Sequence, residues 1–178
     1  MLFRSVKDFL DLKNQSTLYI GTGNHFREMM TQDDHTAQLV KKIYDEGGRH
    51  PDFLAITMIG NIFRFEYKEG QNVIIDGAAR SLHEANVLLE VLNFYEFKNI
   101  KVVHIDVSHE WCVDKLLKRG RDDDNQKVFE IKHIWFENDV KPAIEFFRNN
   151  KGVDFIEVNG ERSIENIHKD IISKIENV

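Results

Sequence analysis

The chain has 178 residues and a formal net charge of −6, and 42% of its residues are hydrophobic. This length and composition predict one soluble globular domain with its own core. The acidic balance argues against a general nucleic-acid-binding protein. The single cysteine, Cys112, excludes an internal disulfide and a cysteine-based zinc cluster. The sequence contains no signal peptide and no long apolar run, so we expect a cytoplasmic protein that does not bind membranes.

Four short apolar runs predict buried strands: Leu18–Ile20, Val73–Ile75, Ile100–Val107 and Asp154–Val158. Helical spacing predicts helices over 3–12, 36–46 and 82–95, and one continuous helix over about 126–149. Five polar residues stand where helix N-caps are expected: Asn24, Asp52, Ser81, Ser108 and Ser163. The alternation of strands and helices predicts a three-layer α/β/α fold, with a parallel sheet covered by helices on both faces.

The stretch from Asn72 to Leu88 places one acid and one base at the end of a predicted strand. Asp76 and Gly77 follow the apolar run, and Arg80 precedes the helix that Ser81 caps. In parallel sheets, ligands bind outside the carboxyl ends of the strands. This position favours a functional loop, although an ordinary strand-to-helix turn would have a similar sequence.

Five arginines stand at predicted turns or helix ends: Arg27, Arg80, Arg119, Arg121 and Arg162. Any one of them is explained by solvated surface charge, but the whole set suits bidentate phosphate binding. Phosphoryl transfer needs such a clamp, because its catalysis depends on positioning and on neutralising negative charge. Asp76 and Asp123 could orient Mg²⁺ through water. The eight histidines show no zinc-site spacing, so we predict no bound zinc.

Four segments together resemble the adenylate kinases among the nucleoside monophosphate kinases. YIGTGNHFRE resembles the family's STGDxxR segment, and IIDGAARSLHEA resembles its DGFPRxxxQA segment. IDVSHEWCVDKLLKRGRDDDNQ resembles the LxRxxxRxDD entry and exit of the family's lid, and VNGERSIENI resembles the VDG turn near the adenine of ATP. The segments occur in the family's order and span nearly the whole chain.

The resemblance implies a P-loop NTPase-like nucleoside monophosphate kinase fold over 1–178, with an AMP-side helical region over 24–65 and a short lid over 119–125. It implies a monomer that transfers the γ-phosphoryl group of ATP to AMP, giving two ADP, with Mg²⁺. The implied AMP-binding residues are Thr22, Gly23, Arg27, Gly48, Arg49, His50, Gly77, Arg80 and Glu84. The implied catalytic residues are Asp76, Arg80, Arg119, Arg121 and Lys132, and the implied ATP-binding residues are Arg119, Gly160 and Arg162.

The chain also departs from the family's pattern. No segment has the form GxxGxGK, whose N–H groups and lysine cradle the ATP phosphates. Ala78 and Ala79 replace the Phe and Pro of DGFPR, and Lys132 stands where an arginine is expected. Glu84 stands where a glutamine reads adenine, and a carboxylate cannot donate to the ring nitrogen.

Two accounts of the absent P-loop follow from these departures. In one, the true start of the protein lies upstream and Met1 is an internal methionine, so this chain lacks the family's first strand. In the other, the chain is a catalytically inactive nucleotide-binding or partner-binding relative that retains the AMP half.

Overall fold

The computed structural model describes residues 2–12, 16–119 and 126–176. Its strands are β1 (Thr17–Gly21), β2 (Asn72–Asp76), β3 (Lys101–Asp106) and β4 (Asp154–Asn159). Its α-helices are α1 (Leu2–Leu12), α2 (Thr22–Met29), α3 (His35–Asp45), α4 (Asp52–Phe65), α5 (Leu82–Phe94), α6 (His109–Arg119), α7 (Gln126–Trp135), α8 (Lys141–Arg148) and α9 (Ile164–Glu176). The predicted α/β architecture is confirmed.

The strands pair in parallel, as predicted, but they form two separate pairs. Leu18 of β1 lies opposite Val73 of β2, and Val102 of β3 lies opposite Phe155 of β4. The sequence predicts a parallel sheet that lacks the family's first, central strand, and no strand of the described residues hydrogen-bonds to both β2 and β3. Among the described residues, β2 and β3 therefore each have one edge whose backbone groups form no hydrogen bonds to another strand.

Alternating side chains of the strands pack into two layers of helices. On one face, Ile74, Val103 and Ile105 pack against a core that joins α1, β4 and α9, with Val158 and Ile171 fully buried. On the other face, one cluster joins Val73 and Ile75 to α4 and α5, and another joins Val102 and Phe155 to α5 and α8. This is the layer arrangement that the period-two pattern of the strands requires.

The helix predicted over 126–149 is interrupted by a π-helix, Phe136–Val140, between α7 and α8. The backbone N–H of Lys141 bonds to the carbonyl oxygen of Phe136, and Pro142 follows in the first turn of α8. Because proline has no N–H, it removes one bond of the α-helical ladder at this point. The local chemistry of Pro142 thus accounts for the break that the helical spacing did not predict.

Three predicted N-caps are confirmed and two are wrong. The hydroxyl oxygens of Ser81, Ser108 and Ser163 accept from the backbone N–H three residues later, at 3.1, 3.3 and 3.3 Å. Asn24 is not a cap, because β1 passes directly into α2 at Thr22 and Gly21 occupies the N-cap position. Asp52 is the first residue of α4 instead of its N-cap, which is Pro51.

Within the described ranges, no helix combines the length and the apolar character that a membrane crossing needs.

Candidate functional site

The start of α2 and the loop that follows β2 meet at one edge, because Gly21 and Asp76 end their parallel strands opposite each other. Thr22, the first residue of α2, contacts that loop and is only 2% exposed. Its hydroxyl oxygen lies 2.8 Å from the carbonyl oxygen of Gly77 and 3.2 Å from that of Asp76. The predicted AMP-binding residue Thr22 therefore fixes the shape of the loop that carries Gly77.

Gly77 is required by the conformation of its loop. Its φ is +78°, in the left-handed region that glycine adopts most readily. A Cβ at this position would lie 3.0 Å from Nη2 of Arg80 and 3.1 Å from Oγ1 of Thr22. The Nε–H of Arg80 donates to the carbonyl oxygen of Gly77 at 2.7 Å. The loop thus holds Arg80 at the strand end, where the residue can be reached by solvent but lies in a recess, and desolvation lowers the pKa of its guanidinium group.

Arg27 reaches the same edge from α2. Its Nη2 donates to Oδ1 of Asn24 at 2.5 Å, and its Nη1 lies 3.4 Å from the place that a Cβ on Gly23 would occupy. Arg27 is exposed, as Arg80 is. Arg27 and Arg80, both accessible to solvent, therefore flank Thr22 and Gly23 in the first turn of α2, where the sequence predicts an anion site. Guanidinium groups match the oxygen geometry of phosphate.

His50 closes another side of this edge. Its ring stacks on Phe26, with ring centroids 4.3 Å apart. Burial and the positive charge of Arg80 lower the pKa of His50 and so favour its neutral ring. The Nδ1 atom of His50 is buried and has no hydrogen-bond partner among the described residues. Gly48 is the first of the three predicted AMP-binding residues in this turn. Its N–H donates to the carbonyl oxygen of Ile43 at 2.9 Å, just after the end of α3.

Arg49 joins carboxylates from three different elements. Its Nη1 lies 2.5 Å from Asp52 at the start of α4 and 3.2 Å from Glu84 in the first turn of α5. Its Nε lies 3.3 Å from Asp139 in the π-helix. The family resemblance implies that Arg49 contacts AMP through its backbone. In the structure, its side chain instead organises the carboxylates beside the predicted AMP pocket.

Glu84 is buried at 6% exposure. Its Oε2 accepts from the backbone N–H of Arg80 at 2.8 Å, and its Oε1 faces Arg49. Its own backbone N–H donates to Ser81, which in turn donates its hydroxyl proton to Asp52 at 2.8 Å. Burial raises the pKa of Glu84, while the N–H of Arg80 opposes that rise.

Two predicted ATP-side residues lie at the carboxyl end of the other strand pair. The N–H of Gly160 donates to the carbonyl oxygen of Asp106 at 2.8 Å. A Cβ on Gly160 would lie 2.6 Å from side-chain atoms of Ile105 and Val107, so only glycine fits this approach. Arg162 donates to Asp170 of α9 at 2.6 Å and to the carbonyl oxygen of Asn159 at 3.0 Å. Arg162 is therefore held against its own turn and α9.

Comparison with known proteins decides the family. The family model for adenylate kinase matches residues 10–152, which is most of the chain. The chain belongs to the adenylate kinase family. This confirms the resemblance stated from the four segments.

Three curated adenylate kinases illustrate the similarity. That of Campylobacter hominis is 32% identical over 160 residues, covering 89% of this chain and 81% of that protein. That of Prochlorococcus marinus is 28% identical over 160 residues, covering 90% and 85%. That of Oenococcus oeni is 26% identical over 147 residues, covering 82% and 78%.

Several predicted catalytic residues of this adenylate kinase family member cannot be placed by their side chains. Arg119 is the last residue of α6, and its side chain is outside the description. Arg121 and Asp123 lie outside the described residues, as does the predicted lid after Arg119. Lys132 lies in the last turn of α7. The described residues thus bring the predicted AMP-binding residues together. The predicted phosphoryl clamp lies largely outside the described residues.

Adenylate kinases use Mg²⁺ with ATP, and the carboxylates of this edge are its candidate ligands. Within the described residues, no three histidine, cysteine, aspartate or glutamate side chains are grouped so as to hold a metal ion. Asp76 offers one carboxylate at the strand end, and its Oδ2 accepts from the hydroxyl of Tyr19 at 2.7 Å. A single carboxylate fits contact through water with a Mg²⁺ ion that nucleotide phosphates hold, but not a metal site made by the protein alone.

Three residues of this region were missed by the sequence analysis as parts of the site: Tyr19, Asp52 and Asp139. Asp52 was assigned only a capping role, although its spacing of three from Arg49 is a signal for an ion pair. Tyr19 and Asp139 offered no such signal, because their partners are distant in sequence and meet them only in the folded chain.

Proposed function

We propose that this chain binds AMP at the edge formed by the start of α2 and the loop after β2, and that it transfers the γ-phosphoryl group of ATP to AMP. The observation that supports this most directly is the pair of solvent-accessible arginines, Arg27 and the more recessed Arg80, beside the buried Thr22. Guanidinium groups bind phosphate bidentately, and the loop of Gly77 holds one of them in place.

In this proposal the AMP phosphate lies between Arg27 and Arg80, and Gly23, Gly48, Arg49 and His50 line the rest of the AMP pocket. An oxygen of the AMP phosphate attacks the γ-phosphorus of ATP. The bond from that phosphorus to its bridging oxygen breaks, and both products are ADP. No covalent enzyme intermediate is needed, because positioning and charge neutralisation carry this reaction. Closure around the nucleotides would exclude water and so limit hydrolysis of ATP.

On the ATP side we propose Arg119, Arg121 and Lys132 as the positive charges that neutralise the transferring group. Gly160 and Arg162 are proposed to line the ATP base. Mg²⁺ is proposed to arrive bound to the ATP phosphates and to be oriented through water by Asp76 and Asp123. We further propose that the chain acts as a monomer, which size-exclusion chromatography with light scattering would test.

A coupled assay for ADP formation, combined with calorimetric titration of AMP, tests the proposal. The Arg80→Lys variant keeps the charge but loses the bidentate fork, so we expect AMP affinity to fall about tenfold. Arg148→Lys is the matched control, because Arg148 pairs with Glu157 on β4, away from the two loops. Its AMP affinity should equal that of the wild type.

The outcomes separate two functions. ADP formation above background supports the phosphotransferase. AMP binding without turnover would instead support a non-catalytic nucleotide-binding protein. If AMP does not bind, or if Arg80→Lys and Arg148→Lys bind it equally to the wild type, the assignment of this edge as the AMP site is wrong.

A further inference from the structure

Glu84 is a buried carboxylate next to the residues proposed to bind phosphate. It lies in α5 one helical turn after Arg80, and its Oε2 accepts from the backbone N–H of that residue at 2.8 Å. The backbone of Arg80 therefore connects the proposed phosphate site directly to Glu84. At 6% exposure, Glu84 is reached only by a group that is itself nearly enclosed.

The hydrogen-bonding capacity of Glu84 is only half used. An ionised carboxylate has about four acceptor positions and no donor. Within the described residues, two donors reach it: the N–H of Arg80 at 2.8 Å and Nη1 of Arg49 at 3.2 Å. About two acceptor positions remain for a ligand, which must then offer hydrogen-bond donors, N–H or O–H groups.

Charged groups of three elements surround this carboxylate. Arg49 precedes α4, Arg80 precedes α5, and Asp52 begins α4. Asp139 of the π-helix lies on the far side of Arg49, 3.3 Å from its Nε. Arg49 is shared among three carboxylates, so its positive charge neutralises Glu84 only in part. Burial is the main effect on Glu84 and raises its pKa.

We propose that Glu84 determines nucleobase selectivity. With Glu84 in place, the dissociation constants of AMP and GMP should differ by no more than about tenfold. This inference rests on the proposed function, because it assumes that the nucleoside monophosphate lies along Arg80 and Glu84. It concerns which base the pocket accepts, not whether the pocket exists.

The reason lies in the hydrogen-bonding edges of the two purines. Guanine presents two donors side by side, the ring N1–H and the exocyclic amine, and both match the open acceptor positions of a carboxylate. Adenine presents one donor, its exocyclic amine, beside the lone pair of ring N1. An ionised Glu84 satisfies the amine of adenine but leaves N1 facing an acceptor, which costs binding energy.

Calorimetric titration of the full chain with AMP, GMP and IMP tests the proposal. The wild type should bind AMP and GMP within about tenfold of each other. Glu84→Gln restores a donor beside an acceptor, so it should strengthen AMP binding, weaken GMP binding, and shift the ratio of the two dissociation constants by about 10- to 100-fold. Glu90→Gln, at an exposed position of the same helix, is the matched control and should leave the ratio unchanged.

IMP provides a test that needs no variant. It keeps the ring N1–H of guanine but lacks the 2-amino group, so the wild type should bind it more weakly than GMP. A wild type that prefers AMP over GMP by more than about 100-fold overturns the proposal. A ratio that is the same in wild type and Glu84→Gln also overturns it. If neither AMP nor GMP binds, the proposed nucleotide site itself has failed, which is a different result.

Discussion

Arg49 and Glu84 form an ion pair with Nη1 and Oε1 3.2 Å apart, and both side chains are largely removed from solvent, at 20% and 7% exposure. The pair joins the turn before α4 to the first turn of α5. Arg49 also holds Asp52 and Asp139, so three negative charges depend on one guanidinium group. The arrangement is therefore sensitive to loss of that cation.

Arg49→Met should destabilise the protein by about 3–5 kcal/mol, because it leaves carboxylates without their partner in a partly buried place. The double variant Arg49→Met/Glu84→Gln should recover part of this loss, since the most buried of the three charges is then gone. Urea unfolding measures both. Lys41→Met, which breaks an exposed pair with Asp45, is the control and should change stability by less than about 1 kcal/mol. Equal effects of the Arg49 and Lys41 changes would contradict the central role of Arg49.

Two glycine-to-alanine changes should alter the free energy of unfolding in opposite directions. Gly160→Ala places a Cβ 2.6 Å from side chains of Ile105 and Val107, so we expect it to cost about 1–3 kcal/mol through overpacking. Gly60 lies inside α4, and a Cβ there meets nothing within 4 Å. Gly60→Ala should therefore stabilise the protein by about 0.5–1 kcal/mol, because alanine loses less backbone entropy in a helix. Thermal unfolding followed by circular dichroism compares them, and a stabilising Gly160→Ala would refute the close approach.

Ala79 has a φ of +55°, which is uncommon for a residue with a side chain. Proline cannot adopt this angle, since its ring holds φ near −65°. Ala79→Pro should therefore destabilise the loop of Arg80 by about 2 kcal/mol or more and weaken AMP binding. Ala79→Gly is the control and should stay within about 1 kcal/mol of the wild type, because relief of strain offsets the added freedom of the unfolded chain. A neutral Ala79→Pro would show that the loop adopts another conformation.

Glu84 should give the stability of the protein a distinctive dependence on pH. Burial raises its pKa above the reference value of 4.5, so the folded state holds a proton more tightly than the unfolded state does. Relative to Glu84→Gln, the free energy of unfolding of the wild type should fall as pH rises from about 4.5 through the folded-state pKa. Urea unfolding of both proteins across pH 4–8 measures the difference, and a constant difference would contradict the raised pKa.

The comparison with Glu84→Gln is needed because Asp52 titrates in the opposite sense. Burial raises its pKa, but hydrogen bonds from Arg49 and Ser81 outweigh this and lower it. Asp52 therefore contributes stability above its unfolded pKa, near 4, and that contribution is lost as pH falls. Since both proteins contain Asp52, its effect largely cancels in the difference between them.

Protonation of Glu84 should also change the base preference. A neutral carboxyl group has a donor and an acceptor, as a glutamine side chain has. The affinity for AMP relative to GMP should therefore increase as pH falls toward 5. Titrations of both nucleotides at several pH values measure this ratio, and in Glu84→Gln the ratio should vary less with pH.

Local chemistry was sufficient to predict much of the fold. Ser81 caps α5 as expected, because an N-cap needs only its own hydroxyl and the N–H groups of the next turn. The β-branched run before Asp76 predicted β2, and the family segments located Arg27 and Arg80. The prediction failed at Asn24, where the strand passes directly into the helix, and at 126–149, where Pro142 interrupts the ladder.

The sequence by itself determined the α/β elements, the parallel pairing and the adenylate kinase family, because these follow from periodicity, caps and local motifs. Only the tertiary structure decided that the sheet is interrupted between β2 and β3, and that Arg49 holds Glu84 and Asp139. Glu84 lies 35 positions after Arg49, and no pattern along the chain relates two charges at that distance. Their meeting depends on how α4, α5 and the π-helix pack, which is why the carboxylate network of the candidate site appears only in the folded molecule.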